Sequence, residues 1–409
     1  MEQNLLKKYA ELVVKIGVNI QKNQTLVVSS PIECADFVRE ISEEAYKCGA
    51  RDVEVRWKDD KLSRIKYLNA PEEIFEEFPE WQKEFYISYA RGGAAFLSIA
   101  ASDPEALKGV DPDRMVKAEK ATDAAIKEYV ERMMSDKNSW CVVSMPTKKW
   151  AQKVFPNVSE EEAVKKLGEA IAKTIRLNEE DPVSAWMKHK DNMIKNAEFL
   201  NKYKFKYLKY KNSLGTDLKI ELPEGHMWLA ASSKTPEGIE FIPNMPTEEV
   251  FTLPKKTGVD GKVVSSKPLN YNGNLIDNFS ITFKAGRIVD YAAEKGYENL
   301  KSMIETDEGS HYLGEVALVP YDSPISNSNI LFYNTLFDEN ASCHLAIGKA
   351  YPTCIKDGSD MSKEELEALG VNDSITHVDF MVGTSDLSIV GVTESGEEVT
   401  VFKDGNFNI

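Results

Sequence analysis

Three carboxylates and two imidazoles in the second half of this 409-residue chain are of the types that bind divalent metals. His377 and Asp379 stand two apart in HVDFMVG, and residues i and i+2 of a strand face the same side. Val378, Phe380 and Met381 mark that strand as otherwise buried. The pair therefore reads as part of a metal site or as a neutral core histidine bonded to an aspartate. Glu248 and Glu249 lie in NMPTEEVFTLP, among apolar residues and prolines. In extended chain they face opposite ways, so one can point inward while the other is solvated. Glu315 stands before the apolar run VALVP, where a lone carboxylate is costly unless it is paired, metal-bound or at the strand's exposed end.

The stretch DENASCHLAIGKAY, residues 338–351, adds a histidine and a phenol. Read as a helix, it puts His344 and Tyr351 on one face, with Gly348 leaving room on that side. Asp338, Glu339 and Asn340 then precede the helix as candidate caps. Taken singly, His344 reads as a core histidine and Tyr351 as packing. Taken together, Glu249, Glu315, His344, His377 and Asp379 hold too many acids for a closed structural zinc site. They match the inventory of a two-metal site with one bridging carboxylate, which can present an activated water and polarise an amide carbonyl. A tyrosine hydroxyl would steady the resulting oxyanion, and a non-ligand carboxylate would carry the proton from water to the leaving amine. The sequence contains no HExxH, GxSxG, GxGxxG or GxxxxGK[ST].

These residues need elements to hold them. Short apolar runs at 25–30, 52–57, 94–100 and 140–145 alternate with helical patterns at 32–48, 111–134 and 159–177. That alternation predicts an α/β N-terminal domain with a mainly parallel sheet. Ser159, followed by acids, predicts a capped helix start, and helical patterning continues to about residue 202. Beyond it the pattern alternates in twos, with hairpin texture around Asn212–Gly215, in FSITFKAGRIVDYAAEKG and in DLSIVGVTESGEEVTVFKDGN. The expected division is an α/β domain over 1–202 and, over 203–409, an α+β catalytic domain with a largely antiparallel sheet carrying the metals. Ser362 and Glu365 predict a capping box, and 71–85 reads as a surface helix.

Fifty basic against 66 acidic residues give a net charge of −16, which argues against nucleic acid and against docking on an anionic membrane. No apolar run approaches the roughly 20 residues of a membrane span. The N-terminal MEQNLLKKYAELVVKIGVNI is an amphipathic helix rather than a signal peptide. Cysteines 34, 48, 141, 343 and 354 form no CxxC pair, which points to reduced thiols and a cytoplasmic protein.

Four segments, NMPTEEVFTLP, GEVALVPYDSPIS, LFDENASCHLAIGKAY and HVDFMVG, resemble in order and spacing the thermophilic metalloaminopeptidases of the aminopeptidase T and aminopeptidase S type. The likeness extends over essentially the whole chain. It implies a cytoplasmic homodimer that releases N-terminal residues from peptides with a free N-terminus, with broad preference. It carries the ligand roles to Glu249, Glu315, His344, His377 and Asp379, with Glu315 as the bridge, and the catalytic tyrosine to Tyr351. Glu339 falls where a further functional carboxylate belongs, as a ligand or as the proton shuttle. The two divalent ions it implies can be zinc, cobalt, manganese or magnesium. The alternatives are a metal-dependent deacylase or carboxypeptidase, which need not bind a free amine, and a non-catalytic binding protein, which would hold no metal tightly.

Overall fold

The computed structural model describes residues 2–271 and 274–409. Met1, at the head of the expected N-terminal helix, lies outside them. The chain divides into two compact units. One comprises Met1–Met187, Ser232–Pro246 and Leu331–Leu336, the other Lys188–Ala231, Thr247–Ile330 and Phe337–Ile409.

In the first unit four strands pair in parallel, in the order Asp52–Lys58, Thr25–Pro31, Ala95–Ile99, Trp140–Val143. Parallel neighbours need crossovers, and helices such as Ala35–Lys47 and Glu80–Arg91 supply them. This explains the near-continuous apolar runs in the sequence: Leu26, Val28, Leu97 and Val143 are all buried. The expected parallel sheet is therefore present. Ser159 caps the helix Glu160–Thr174 by accepting a hydrogen bond from the Glu162 N–H. The 71–85 segment is two elements rather than one, a 3-10 turn Glu72–Phe75 and the helix Glu80–Arg91, with Pro79 at the second start.

The second unit is antiparallel. Three expected hairpins are present: Tyr207–Lys211 with Asp217–Glu221, Asn274–Lys284 with Arg287–Lys295, and Ser388–Val392 with Glu398–Lys403. They belong to a nine-stranded sheet. A separate five-stranded sheet runs in the order His377–Met381, His344–Gly348, Leu313–Leu318, Val250–Thr252, Leu229–Ala230. Ser362 and Glu365 form the expected capping box.

One expectation is overturned. Residues 338–351 do not form a helix carrying His344 and Tyr351. Thr335–Asp338 is one helical turn, Glu339–Ala341 a 3-10 turn, and His344–Gly348 a strand buried along its whole length. A short apolar run is compatible with either state, and pairing on both edges decides for the strand. Gly348 serves that pairing rather than a helix face. It sits at φ +107°, and a Cβ there would lie 2.1 Å from the Thr376 carbonyl oxygen.

Candidate metal centre

The strand register assembles the site. Ala317 pairs with His344, which pairs with Met381; Glu315 pairs with Ala346, which pairs with Asp379; Gly348 pairs with His377. Because side chains alternate, Glu315, His344, His377 and Asp379 all stand on one face of the sheet. Phe251 pairs with Ala317 on that face, and Glu249, two residues earlier, joins it. The middle positions of the face are Ala317, Ala346 and Gly348, too small to fill the space where the longer side chains converge. The opposite face (Val316, Leu318, Leu345, Ile347 and Phe380) is sealed in the main hydrophobic core of this unit.

Two clusters result, Glu249–Glu315–His344 and Glu315–His377–Asp379, with the ligand atoms of each within 4.8 Å of one another. Glu315 belongs to both. Its Oε1 lies 3.6 Å from His344 Nε2, and its Oε2 lies 3.3 Å from His377 Nε2. Glu249 Oε2 stands 3.2 Å from His344 Nε2, and Asp379 Oδ1 stands 3.4 Å from His377 Nε2. The structure thus brings together all five residues predicted as ligands. Glu315 lies inside its strand and not at an exposed end.

The hydrogen bonds behind the imidazoles fix what their outer nitrogens can do. His377 Nδ1 is 2.7 Å from the Lys349 carbonyl oxygen, and His344 Nδ1 is 3.3 Å from that of Ser342. A carbonyl only accepts, so each Nδ1 carries the hydrogen and each neutral ring turns an Nε2 lone pair toward carboxylates. Acceptors facing acceptors call for a proton or a metal cation between them. Asp379 Oδ1 is itself buried with no hydrogen-bond partner among the described residues. The electrostatics agree. Burial opposes charge on His344 and His377, but the facing carboxylates outweigh it and raise both well above the ordinary histidine range. Burial would lift Glu315, yet the two imidazoles hold it down to about 2. Glu249 is raised by burial, partly offset by His344. Hard carboxylates mixed with imidazole fit a divalent cation in each cluster.

Tyr351 follows the His344–Gly348 strand at the head of the turn Pro352–Cys354, its ring 4.8 Å from that of His377 and 6.4 Å from that of Phe251. Burial, and then the Glu315 and Asp379 carboxylates, push its hydroxyl well above the ordinary phenol range, so it stays protonated. Glu339 is half-buried, and burial together with Asp379 and Glu249 raises it well above the ordinary carboxylate range.

Sequence reasoning missed the supports. Asn340, weighed only as a cap, is fully buried. Its Nδ2 donates to Glu339 Oε1 at 3.3 Å, and its Oδ1 accepts from the Glu248 N–H at 2.8 Å. Glu248 faces away from the clusters, its Oε2 3.5 Å from His189 Nε2. The backbone carbonyls behind His344 and His377 carry no signal in residue type at all.

Comparison with known proteins places the chain in a family. Aminopeptidase AmpS of Bacillus subtilis (strain 168) is 53% identical over 402 residues, covering 98% of both chains. Aminopeptidase 2 of Geobacillus stearothermophilus is 51% identical over 402 residues, covering 98% of this chain and 97% of its own. The solved structure of wild-type AmpT from Thermus thermophilus superposes with a TM-score of 0.94 at 38% identity, covering 100% of both chains. The family model of the thermophilic metalloproteases (M29) matches residues 2–407, and this chain belongs to that family.

Proposed function

We propose that this metalloprotease is an aminopeptidase that holds two divalent ions, one on Glu249, Glu315 and His344, the other on Glu315, His377 and Asp379. Glu315, common to both sets, would help hold each of them. The observation that carries the reading is the pair of imidazole Nε2 atoms, each turned by its Nδ1 hydrogen bond toward a different oxygen of Glu315. The names of the relatives supply the reaction class. When bound, the ions supply an activated water and polarise the carbonyl of the first peptide bond. The chain's own residues do the rest. The protonated Tyr351 hydroxyl donates a hydrogen bond to the oxygen that gains charge as the carbonyl is attacked. Glu339, starting as its carboxylate, would take the proton from water, and its raised proton affinity would let it hold that proton until it passes to the departing amine. Asn340 orients that carboxylate.

The substrates are peptides with a free N-terminus, accepted with broad preference. Zinc, cobalt, manganese and magnesium all suit the donor set, and availability selects among them. The family likeness carries a cytoplasmic homodimer with it, which light scattering checks as twice the 45.9 kDa chain mass. Among the described residues, no helix is long and apolar enough to cross a membrane.

The test is hydrolysis of a leucyl chromogenic amide and its N-acetyl twin by chelator-stripped protein, with each metal added back separately. Metal-restored cleavage of the free-amine substrate alone is the expected result. Equal cleavage of both substrates would turn the reading to a deacylase, and cleavage of neither would remove it.

A further inference from the structure

We infer that Asn372 is a positioning residue for the His377 half of the centre; this rests on the two-ion reading above. Asn372 is only 1% exposed. Its Nδ2 donates to the Gly348 carbonyl at 2.6 Å and to the Gly309 carbonyl at 2.8 Å. Its main-chain carbonyl accepts from the Ala350 N–H at 3.0 Å. One residue thus grips the chain on both sides of Lys349. The Lys349 N–H is spent on the Thr376 carbonyl at 2.7 Å, and the Lys349 carbonyl accepts the His377 Nδ1–H, also at 2.7 Å. Tyr351 follows directly.

The turn that Asn372 grips therefore presents two functional groups, the carbonyl that fixes the tautomer and aim of His377 and the phenol beside that ring. Gly348 enters the turn at φ +107°, which glycine adopts freely, so the hydrogen bonds around it set where the turn lies. Among the described residues Asn372 Oδ1 has no hydrogen-bond partner, and the side chain's bonds are those of its two donors. The His344 half has a different support, the Ser342 carbonyl. The consequence is one-sided: loss of the Asn372 donors loosens the ion on Glu315, His377 and Asp379 and leaves the other in place.

The experiment is calorimetric zinc titration of the chelator-stripped full-length chain, wild type beside Asn372→Asp and Asn372→Ser. Aspartate keeps the shape and loses both donors; serine keeps one donor and is the gentler variant if aspartate prevents folding. Wild type should take up two ions. The variants should bind one of the two roughly 10- to 100-fold more weakly, the scale typical of a group that orients a metal ligand. The second ion should be unchanged, and kcat should fall with little change in KM. Two ions bound by Asn372→Ser with wild-type affinities would overturn the inference. So would equal weakening of both ions together with a lower melting temperature, which is the mark of a merely structural role. A wild type that binds no zinc would instead fail at the two-ion reading itself, and the inference would fall with it.

Discussion

The two faces of the five-stranded sheet are built on the same strands and differ in everything else. Leu345 and Ile347 point into the core, while His344 and Ala346 point into the candidate metal centre, one residue apart. Stability and chemistry are thus divided by the period of two of a strand rather than by distance along the chain. A one-residue register slip would exchange the faces, burying the acids in the core and dissolving the site. The comparison teaches that the apolar face is what fixes the ligand geometry, and it can be broken from either side.

The largest effect is expected at Glu315. Replacing it by Gln should abolish uptake of both ions and all activity in metal-titration and hydrolysis assays, while the chain stays folded by circular dichroism. His344→Ala should lose metal and activity together. On the other face, Leu345→Ala should cost about 2–5 kcal/mol of stability, the usual range for emptying a buried leucine, and leave two-ion binding intact below its melting temperature. Metal loss in that variant at a temperature where it is folded would break the separation. Tyr351→Phe should keep both ions and slow turnover roughly 10²- to 10³-fold, the scale of one lost oxyanion donor. Unchanged turnover would remove the tyrosine from the chemistry.

The smallest effect is one of pH. In the metal-free protein His344 and His377 hold protons above the ordinary histidine range, because the facing carboxylates outweigh burial. An incoming ion must displace those protons, so metal affinity should rise with pH and proton release should accompany uptake. The sign for stability is opposite. A raised folded-state value stabilises the metal-free protein below the unfolded histidine pKa, and that contribution is lost as pH climbs through the raised value. Thermal melts across pH, with and without zinc, measure both trends.

Much of this was legible in the sequence, and for a reason. Carboxylates and imidazoles inside apolar runs are costly without partners, so Glu315, His377 and Asp379 announce themselves by being where they should not be. The hairpins and the parallel strands were equally readable, since alternation and apolar runs are local patterns. The 338–351 segment was misread because HLAIG satisfies both a helix and a buried strand, and only its neighbours on either edge decide. Asn340 and Asn372 were missed because an amide that bonds to backbone looks in sequence like any cap or turn residue. What was not legible at all was the tautomer control by the Ser342 and Lys349 carbonyls, which depends on the path of the chain and not on residue type.

The central claim is that Glu315 lies between two ions on one face of the sheet. The most direct measurement is an anomalous difference map, at the zinc edge, of a crystal of the zinc-loaded protein. The account predicts two peaks, one beside each oxygen of Glu315, the first also contacting His344 and Glu249 and the second His377 and Asp379. A single peak, or two peaks that do not share Glu315, would contradict it.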